Sequence, residues 1–544
     1  MKHILISLVI SLSAFSGATA QDVIDIVYSS GLAKVTIPSN VTDVTYTVEG
    51  AHVVVNSGTT SREYTYRLSG SSSNGSFTLN GSYKLTLQLA GVKLTSIKGA
   101  AIDIECGKRI AVELVDGTEN TLVDKVDGTQ KAALYFKGHP EFKGGGTLNV
   151  TGRTKHAIAA KEYIELKKST GFINVLGAVS DGIHCGKGIP DAEKNYFLMQ
   201  GGTVNMQSVQ GDGIDADDYG TVRIEGGALS INLGADATGL DADSIVAISG
   251  GAVNISIDGA DSEAIRACHS VNISGGSINV LVNGDGSKGI KAKKAEGDAT
   301  VVDGGLLAIS GGTTSIEVAG GNFTDADGEQ NRCMAVSVDA NMTQTGGSVS
   351  LTAMGPQAST FNVKGTDDRR AGEWLAIRTP WVVNARNYQY DMSVYAVVED
   401  EDGQRLNAYD QVAVGAFQAD DCVGYGVFQT TAYGVLRIHS NSVEATPISF
   451  RLYNYAADGT ITELEVNQTV VFAPDALVGS PSTPLVLKMK KEEQNAINDV
   501  LRSPVFNERK TINVNGQRIG SARRGIIIER SADGTVRKII SDKK

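Results

Sequence analysis

The sequence predicts an all-β protein, in which a right-handed parallel β-helix is followed by a smaller antiparallel β-sandwich and a short C-terminal β tail. Three observations lead to this prediction. A glycine-led strand motif recurs at a nearly constant spacing, a second motif repeats in phase with it, and ordinary alternating strands replace both after residue 365. None of the repeats contains a helix-length pattern with a 3.6-residue period.

The first motif is a small-residue turn followed by about five residues of apolar and polar alternation, a period that is typical of strands. Its steps are mostly 24 or 25 residues, with one of 31 and two later ones of about 35. A unit this short cannot bury its apolar face alone, so the units must stack. The blades of a propeller need about 40–50 residues, which disfavours that alternative. The copies are GGGTLNV at 144, TGFINV at 170, GGTVNM at 201, GGALSI at 226, GGAVNI at 250, GGSINV at 275, GGTTSI at 311 and GGSVSL at 346.

The N-terminus predicts export. Residues 1–20 combine a basic start, an apolar run and an Ala18-Thr19-Ala20 cleavage pattern, which together indicate a secretory signal peptide. No later stretch of about 20 residues is apolar enough for a transmembrane helix. We therefore expect a secreted protein, or one attached to the outer cell surface after export.

The remaining domain boundaries follow from changes in the sequence pattern along the chain. We expect the β-helix over residues 21–365, with roughly its first 70 residues irregular or capping. Alternating strands with frequent turn signals predict an immunoglobulin-like β-sandwich over residues 371–489. Residues 490–508 are interpreted as a linker, and residues 509–544 as a short β tail.

Composition excludes several classes of function. The chain has 61 acidic and 49 basic residues and a net charge of -12, which argues against nucleic acid as a partner. Its five cysteines form no C-x-x-C pair, so a disulfide framework or zinc knuckle is not expected.

The second motif places aspartates in columns. Its copies are HAIA at 156, DGIH at 181, DGID at 212, TGLD at 238, EAIR at 263 and KGIK at 288. Aligned on the Ile or Leu, Asp215 lies under Asp241, and Asp217 under Asp243, about 4.8 Å apart in successive turns. We expect these four carboxylates to form one outward patch that Asp212 joins.

Like charges at this spacing repel, so either solvent screens them or a hard cation lies among them. Calcium takes about six to eight oxygen ligands in a flexible geometry. The sequence therefore predicts a calcium site built from Asp212, Asp215, Asp217, Asp241 and Asp243, with a plain solvated acidic patch as the alternative. Zinc is not indicated, because His184 is a lone histidine one turn below the aspartates in this alignment.

The same column becomes basic in the next turns. Arg266 follows Asp241, and Lys291 and Lys293 come one turn later. Such cations suit the carboxylates of an acidic sugar. The alternative is a structural role, in which the basic residues only neutralise the acidic ones.

Residues from about 30 to 365 resemble a secreted carbohydrate-binding β-helix family. The resemblance rests on the two motifs in phase, such as DGID at 212 with GGALSI at 226. It implies a calcium-bearing right-handed β-helix that binds acidic plant polysaccharide, such as polygalacturonate, without cleaving it.

Two other functions stay open. The family is similar in shape to certain pectate lyases, in which an Arg or a Lys beside calcium acts as the base of a β-elimination. Lys291 or Arg266 would then be the catalytic base. The second alternative is a structural or adhesive solenoid that binds protein partners.

The C-terminal segments carry further resemblances. The strands VGAF at 414 and ISFRLY at 448 resemble a module of secreted Bacteroidetes-type proteins. The final stretch, with NGQ at 515 and GIII at 525, resembles the sorting domains of type IX secretion. The second resemblance implies export and attachment to the cell surface.

Overall fold

The structure is a computed structural model that divides into two compact units, Met1–Asn387 and Tyr388–Lys544. The predicted signal peptide and the predicted linker lie outside the described residues. No helix in the described part of the chain is long and apolar enough to cross a membrane. The described residues are 22–186, 191, 193–294, 304–354, 357–369, 374–379, 381–400, 402–405, 412–428, 433–455, 461–489, 525–530 and 536–541.

The first unit is a parallel β-solenoid, in which most strands pair with the equivalent strand one repeat later. The strand Ile245–Ile257 pairs in parallel with Ser270–Val282, so that Val253 lies beside Ile278 and Ile255 beside Val280. These side chains are buried in a continuous apolar core that runs the length of the unit. The predicted parallel stacking is therefore confirmed, whereas the right hand of the coil stays a prediction.

The strands belong to two large sheets and one small one. The 20-stranded sheet contains Val23–Ser29, Leu32–Thr36, Thr65–Ser72, Leu85–Thr95, Arg109–Leu114, Glu119–Val123, His139–Lys143, Thr147–Gly152, Ile164–Leu166, Phe172–Ala178, Tyr196–Met199, Thr203–Val209, Thr221–Ile224, Ala228–Leu233, Ile245–Ile257, Ser270–Val282, Leu306–Val318, Met342–Met354, Asp367–Asp368 and Trp374–Thr379. The 13-stranded sheet contains Val44–Glu49, Ala51–Ser57, Gly75–Gly81, Ile102–Glu105, Ala132–Phe136, His156–Ala160, Ile183–Cys185, Ile214–Ala216, Thr238–Ala242, Glu263–Ala267, Lys288–Ala292, Met334–Val338 and Ser359–Val363. Phe323–Thr324 and Gln330–Asn331 form a separate pair.

The Gly-Gly pairs mark irregular points inside the long strands. Pairing between Ile245–Ile257 and Ser270–Val282 shifts register around Ser249 and resumes at Ala252. Gly251 has a φ of 79°, and a Cβ on it would lie 2.8 Å from the carbonyl oxygen of Gly227. Only glycine fits both the positive φ and the close approach of the neighbouring turn.

The N-terminal part is more regular than the sequence predicts. Val23–Ser29 pairs in parallel with Thr65–Ser72, and Ala51–Ser57 pairs in parallel with Gly75–Gly81. The parallel stacking therefore begins with the first described strand, and the region is built of regular strands. Leu32–Thr36 and Val44–Glu49 pair antiparallel with their neighbours at this end, and the predicted capping role of the first 70 or so residues stays a prediction. The parallel strands bury alternate apolar residues but lack the Gly-Gly motif, so the repeat spacing does not mark them in the sequence.

The solenoid also extends beyond residue 365. Trp374–Thr379 pairs in parallel with the end of Met342–Met354. The two compact units divide after Asn387, and not at the predicted start of the second domain at residue 371. The strand lacks both repeat motifs, and the sequence pattern therefore assigned it to the next domain.

The second unit contains one mostly antiparallel eight-stranded sheet with its own apolar core. The outer strand Ile461–Val471 is joined to the chain after Leu485–Lys488 by a bridge between Val466 and Met489. The predicted sandwich would instead have two separate sheets. Alternation in the sequence shows which side of a strand is buried but not which strands pair, so it does not distinguish these two arrangements. The strands are Tyr390–Glu399, Val412–Gln418, Asp421–Phe428, Gly434–Ser440, Pro447–Tyr455, Ile461–Val471, Leu477–Val478 and Leu485–Lys488.

Two shorter elements complete the second half of the chain. Ala385–Asn387 is a single 3-10 turn. Gly525–Arg530 and Val536–Ser541 pair as an antiparallel hairpin inside the predicted tail, whose sorting role stays a prediction.

Replacing Gly251 with Ala tests the glycine corner. We expect a loss of about 2–3 kcal/mol in the free energy of unfolding, because the positive φ and the close carbonyl oxygen both oppose a Cβ. The matched control is Gly91→Ala, where φ is 81° but nothing lies within 4 Å of the added Cβ. Urea unfolding of both variants measures the difference. Equal losses would contradict a steric role for the stacked turn.

Candidate functional site

The acidic and basic residues of the second motif lie in one column of the 13-stranded sheet. Register pairs His184 with Asp215, Asp215 with Asp241, Asp241 with Arg266, and Arg266 with Lys291. This is the order given by aligning the repeats. The column therefore changes from acidic to basic between Asp241 and Arg266.

A second column runs beside the first. Backbone hydrogen bonds place Asp181 next to His156, and Asp212 next to Asp181, one turn at a time. Although Asp181 precedes His184 by three residues, its Oδ2 lies 3.2 Å from Nδ1 of that histidine. The two columns thus present side chains to each other, because the chain bends at Gly182 and Gly213, just before the strands Ile183–Cys185 and Ile214–Ala216, and strict alternation fails there.

Where the two columns meet, six side chains form what we call the Asp-His cluster. Oδ2 of Asp215 lies 2.8 Å from Nδ1 of His184, and Oδ2 of Asp217 lies 3.8 Å from Nε2 of the same ring. Ligand atoms of Asp181, Asp212 and Asp215 all lie within 4.8 Å of one another. The cluster consists of His156, Asp181, His184, Asp212, Asp215 and Asp217.

His156 closes the inner side of the cluster. Its ring stacks on that of His184, with centroids 4.2 Å apart and an interplanar angle of 8°. The side chain is fully buried, and neither ring nitrogen has a hydrogen-bond partner in the described part of the chain. Nδ1 lies 2.9 Å from Oδ2 of Asp181, but without hydrogen-bond geometry.

Burial and charge perturb the titration of the cluster. Burial and the charge of Asp241 raise the pKa of Asp212 to about 7. Burial, together with nearby Asp217 and Asp181, raises the pKa of Asp215 to about 6 despite its bond to His184. These two carboxyl groups therefore lack sufficient positive charge nearby.

The pKa values of the two histidines are shifted in opposite directions. Burial opposes the charged form of His184, but hydrogen bonds to Asp181 and Asp215 outweigh it and raise the pKa to about 9. Burial lowers the pKa of His156 to about 4. The pKa of Asp181 is held well below its usual range, since the close approach of both histidine rings to its carboxylate outweighs its burial. At neutral pH one histidine is charged and the stacked one is neutral.

The predicted patch of four equivalent aspartates is not what the structure contains. Asp241 is nearly buried and accepts two hydrogen bonds from Arg266, one of them from Nε at 2.8 Å. Asp243 is exposed and accepts a hydrogen bond from the backbone N–H of Asp218. The carboxylates that cluster closely are instead Asp181, Asp212 and Asp215.

The basic residues are largely engaged within the protein. Nζ of Lys291 lies 3.0 Å from Oδ1 of Asp339 and donates to the hydroxyl of Ser337 at 3.3 Å. Arg266 also lies 3.9 Å from Glu263. Lys293 follows Lys291 at the end of its strand and also interacts with other groups. The structure thus gives Arg266 and Lys291 neutralising contacts, as in the structural alternative.

The prediction that His184 is a lone histidine is wrong. His156 lies in the HAIA copy of the second motif, two residues before its Ile, and Asp181 holds the same place in DGIH. The position two residues before the Ile is therefore occupied by His156, Asp181 and Asp212 in successive turns. The cluster becomes visible in the sequence when this position is compared with the position just after the Ile, which holds His184 and Asp215.

Part of the chain is similar to known carbohydrate-binding proteins. Residues 49–263 match a family of carbohydrate-binding domain-containing proteins. The matched region includes the whole Asp-His cluster and ends before Arg266, Lys291 and Lys293. It agrees with the broad resemblance that the motifs carry, whereas calcium binding stays a prediction.

Two individual proteins are similar over shorter or looser alignments. A carbohydrate-binding domain-containing protein of Acetivibrio thermocellus is 28% identical over 120 residues, which are 20% of this chain and 41% of that protein. The chain thus spans about two fifths of that relative's length. A solved structure described as a polysaccharide lyase-like protein from C. thermocellum, a gadolinium derivative, aligns with 65% of this chain and 99% of its own, with a TM-score of 0.28 and 17% identity.

Replacing Asp212 with Asn tests the unfavourable charge in the cluster. Because its pKa is raised in the folded state, Asp212 destabilises that state relative to the unfolded chain. This cost grows as the pH rises from about 4, the unfolded value, to about 7, and is fully present above that pH. In a chelator, we expect the variant to gain about 1–3 kcal/mol over the native protein near pH 8 and clearly less near pH 5. The amide can still accept the bond from the N–H of Thr238.

Urea unfolding at the two pH values measures this difference. Asp327→Asn, in an exposed acidic loop, is the control and should shift stability equally at both. A variant that is less stable than the native protein near pH 8 would contradict the assignment.

Proposed function

We propose that this protein is exported and binds acidic polysaccharide of the polygalacturonate type without cleaving it, with calcium held at the Asp-His cluster. The observation that carries the proposal is the set of carboxylates of Asp181, Asp212 and Asp215 within 4.8 Å of one another. Calcium–oxygen distances of about 2.3–2.6 Å place ligand oxygens at most about 5 Å apart, so this spacing fits.

The electrostatics of the cluster also favour a cation. The pKa values of Asp212 and Asp215 are raised because their carboxylates are buried near like charges. A divalent cation removes that repulsion and stabilises both ionised groups. Asp217, whose side chain is 28% exposed, lies at the open edge and can complete the ligand set.

The predicted ligand set is therefore revised. Asp212, Asp215 and Asp217 remain, and Asp181 is added. Asp241 is poorly suited because Arg266 bonds both of its oxygens, and Asp243 because it is exposed and lies outside the closely spaced groups. Bound calcium would supply a hard positive charge that attracts the carboxylates of the sugar. The residues of the chain hold that charge at the face of a rigid sheet.

The lyase alternative finds less support in the same residues. Hydrogen bonds and the charge of Asp241 raise the pKa of Arg266 above its usual range despite burial, so this side chain keeps its proton. A catalytic base must give up a proton before it can take one. Lys291 is held by Asp339 and Ser337. Binding without cleavage is the better proposal.

The remaining parts of the proposal concern export and architecture. We propose that the solenoid is a right-handed β-helix, as parallel crossover connections generally are. The signal peptide at residues 1–20 directs export, and the hairpin within residues 509–544 belongs to a sorting tail. The eight-stranded module is an accessory or spacer domain between them.

Titration of the full mature chain with polygalacturonate tests the function. We expect calcium-dependent heat of binding, none in EDTA, and no growth in the ultraviolet absorbance of unsaturated product. Asp212→Asn and Asp215→Asn should each weaken calcium binding about tenfold or more, because each removes a charged ligand. Asp327→Asn is the matched control and should bind like the native protein. Rising absorbance would establish lyase activity instead, and the absence of any heat of binding would refute the proposed binding of polygalacturonate.

Proton release gives a second test of the calcium site. In the folded protein Asp212 gains its charge around pH 7, its raised pKa, and His184 loses its charge around pH 9. Because calcium needs ionised carboxylates and repels the imidazolium, we expect its affinity to rise steadily from about pH 5 to pH 9. Calorimetry in buffers of different ionisation enthalpy should detect released protons. Affinity that is independent of pH would place the ion elsewhere.

A further inference from the structure

The corner of the solenoid that follows the Asp-His cluster is longer than the corners of the next two turns. Four residues, 217–220, lead to the next strand there, whereas residues 243–244 and 268–269 make the same connection in the following turns. The strands on both sides of these corners are in register, so the corner of the cluster has two additional residues, Asp218 and Tyr219. Insertions into single repeats often form loops on the binding face.

Both additional residues have left-handed backbone conformations. The value of φ is 51° at Asp218 and 67° at Tyr219. Aspartate tolerates this region because its short side chain can bond the nearby backbone, but a bulky tyrosine rarely adopts it. Tyr219 is 47% exposed, so its burial offsets the unfavourable conformation only in part. Backbone conformations of this kind persist where the surrounding structure imposes them, and they are concentrated at functional sites.

Hydrogen bonds from two directions hold this corner in place. The buried amide of Asn195 donates to the carbonyl oxygens of Asp217 and Asp218, the latter at 2.8 Å. The backbone N–H of Asp218 donates to Oδ2 of Asp243 at 2.8 Å. The backbone that carries Tyr219 is thus fixed before any ligand binds, which lowers the entropy lost on binding.

The corner places an aromatic side chain beside the proposed calcium ligands. Tyr219 follows Asp217 by two residues, so their Cα atoms are at most about 7 Å apart. The side chain of Asp217 lies at the open edge of the cluster and is 28% exposed. The face of a phenol ring packs against the C–H groups of a sugar ring, while its hydroxyl group stays in water. The corner therefore offers a sugar acid one charged contact and one apolar contact.

We propose that Tyr219 is an aromatic platform on which a sugar ring of the bound polysaccharide packs at the Asp-His cluster. The cluster and its cation bind the carboxylates of the polysaccharide, and Tyr219 binds the apolar face of one pyranose ring. The two-residue insertion presents the tyrosine at this turn of the solenoid. This inference rests on the proposed binding of acidic polysaccharide, and it adds a residue that recognises the sugar ring and not its charge.

Replacing Tyr219 with Gly tests the platform, because glycine adopts a positive φ freely and removes the ring. Calorimetry on the full mature chain with calcium would measure the affinity for polygalacturonate. We expect this affinity to fall about tenfold, which is the size of one lost aromatic contact. The affinity for calcium, measured without polysaccharide, should be unchanged. The urea midpoint of unfolding should stay equal or rise, because the unfavourable backbone conformation is relieved.

Two further variants and a control separate the sugar contact from effects on folding. Tyr219→Phe keeps the ring and should bind polygalacturonate like the native protein. Tyr219→Asn tolerates the left-handed backbone and should lose affinity as the glycine variant does. The control is Phe172→Ala, which removes an aromatic side chain that is 50% exposed on the 20-stranded sheet and should leave the affinity unchanged.

Native affinity for polygalacturonate in the Gly and Asn variants would overturn the platform and leave the proposed function intact. An equal loss in Tyr219→Phe, or a parallel loss of calcium affinity in Tyr219→Gly, would also overturn it, since the ring would then not be the contact. If the native protein binds no polygalacturonate, the proposed function falls and the platform falls with it.

Discussion

Everything in the first unit depends on in-register parallel pairing between successive turns. Pairing such as Ile255 beside Val280 buries one apolar residue on another throughout the unit. The same register forces the outward residues of successive turns to stand about 4.8 Å apart, whatever their charge. A repeat protein of this kind therefore sets its surface chemistry by column, and one substitution per turn is enough to build or remove a site.

This constraint explains why the columns could be predicted. The Ile or Leu of the second motif must point into the core, so aligning the copies on it gave the order His184, Asp215, Asp241, Arg266 and Lys291. Gly251 was likewise visible in the repeat, since its positive φ and close neighbour exclude other residues. Strong steric requirements leave strong sequence signals.

The cluster itself was only partly predictable, for a physical reason. Alternation assigns Asp181 to the same side as Ile183, but the bend at Gly182 turns its carboxylate toward His184. A backbone bend of this kind is a tertiary property that a period of two cannot express. Pairing between charged side chains is likewise a tertiary property that the sequence pattern does not show. The sequence shows Arg266 above Asp241, but not that their side chains satisfy each other.

Ion pairing also explains why the candidate site lies at one turn of a long charged column. Glu263 lies 3.8 Å from Lys288 and 3.9 Å from Arg266, so the turns above Asp241 compensate their own charges. Below it, His184 is the nearest positive group and is shared by Asp181 and Asp215, while Asp212 accepts a backbone N–H. Negative charge therefore exceeds positive charge at this turn. The apolar core can bear such a cost because it is held by many turns, whereas a loop could not position the same carboxylates against their repulsion. A site for a cation is expected where the fold, and not the charges, keeps the ligands together.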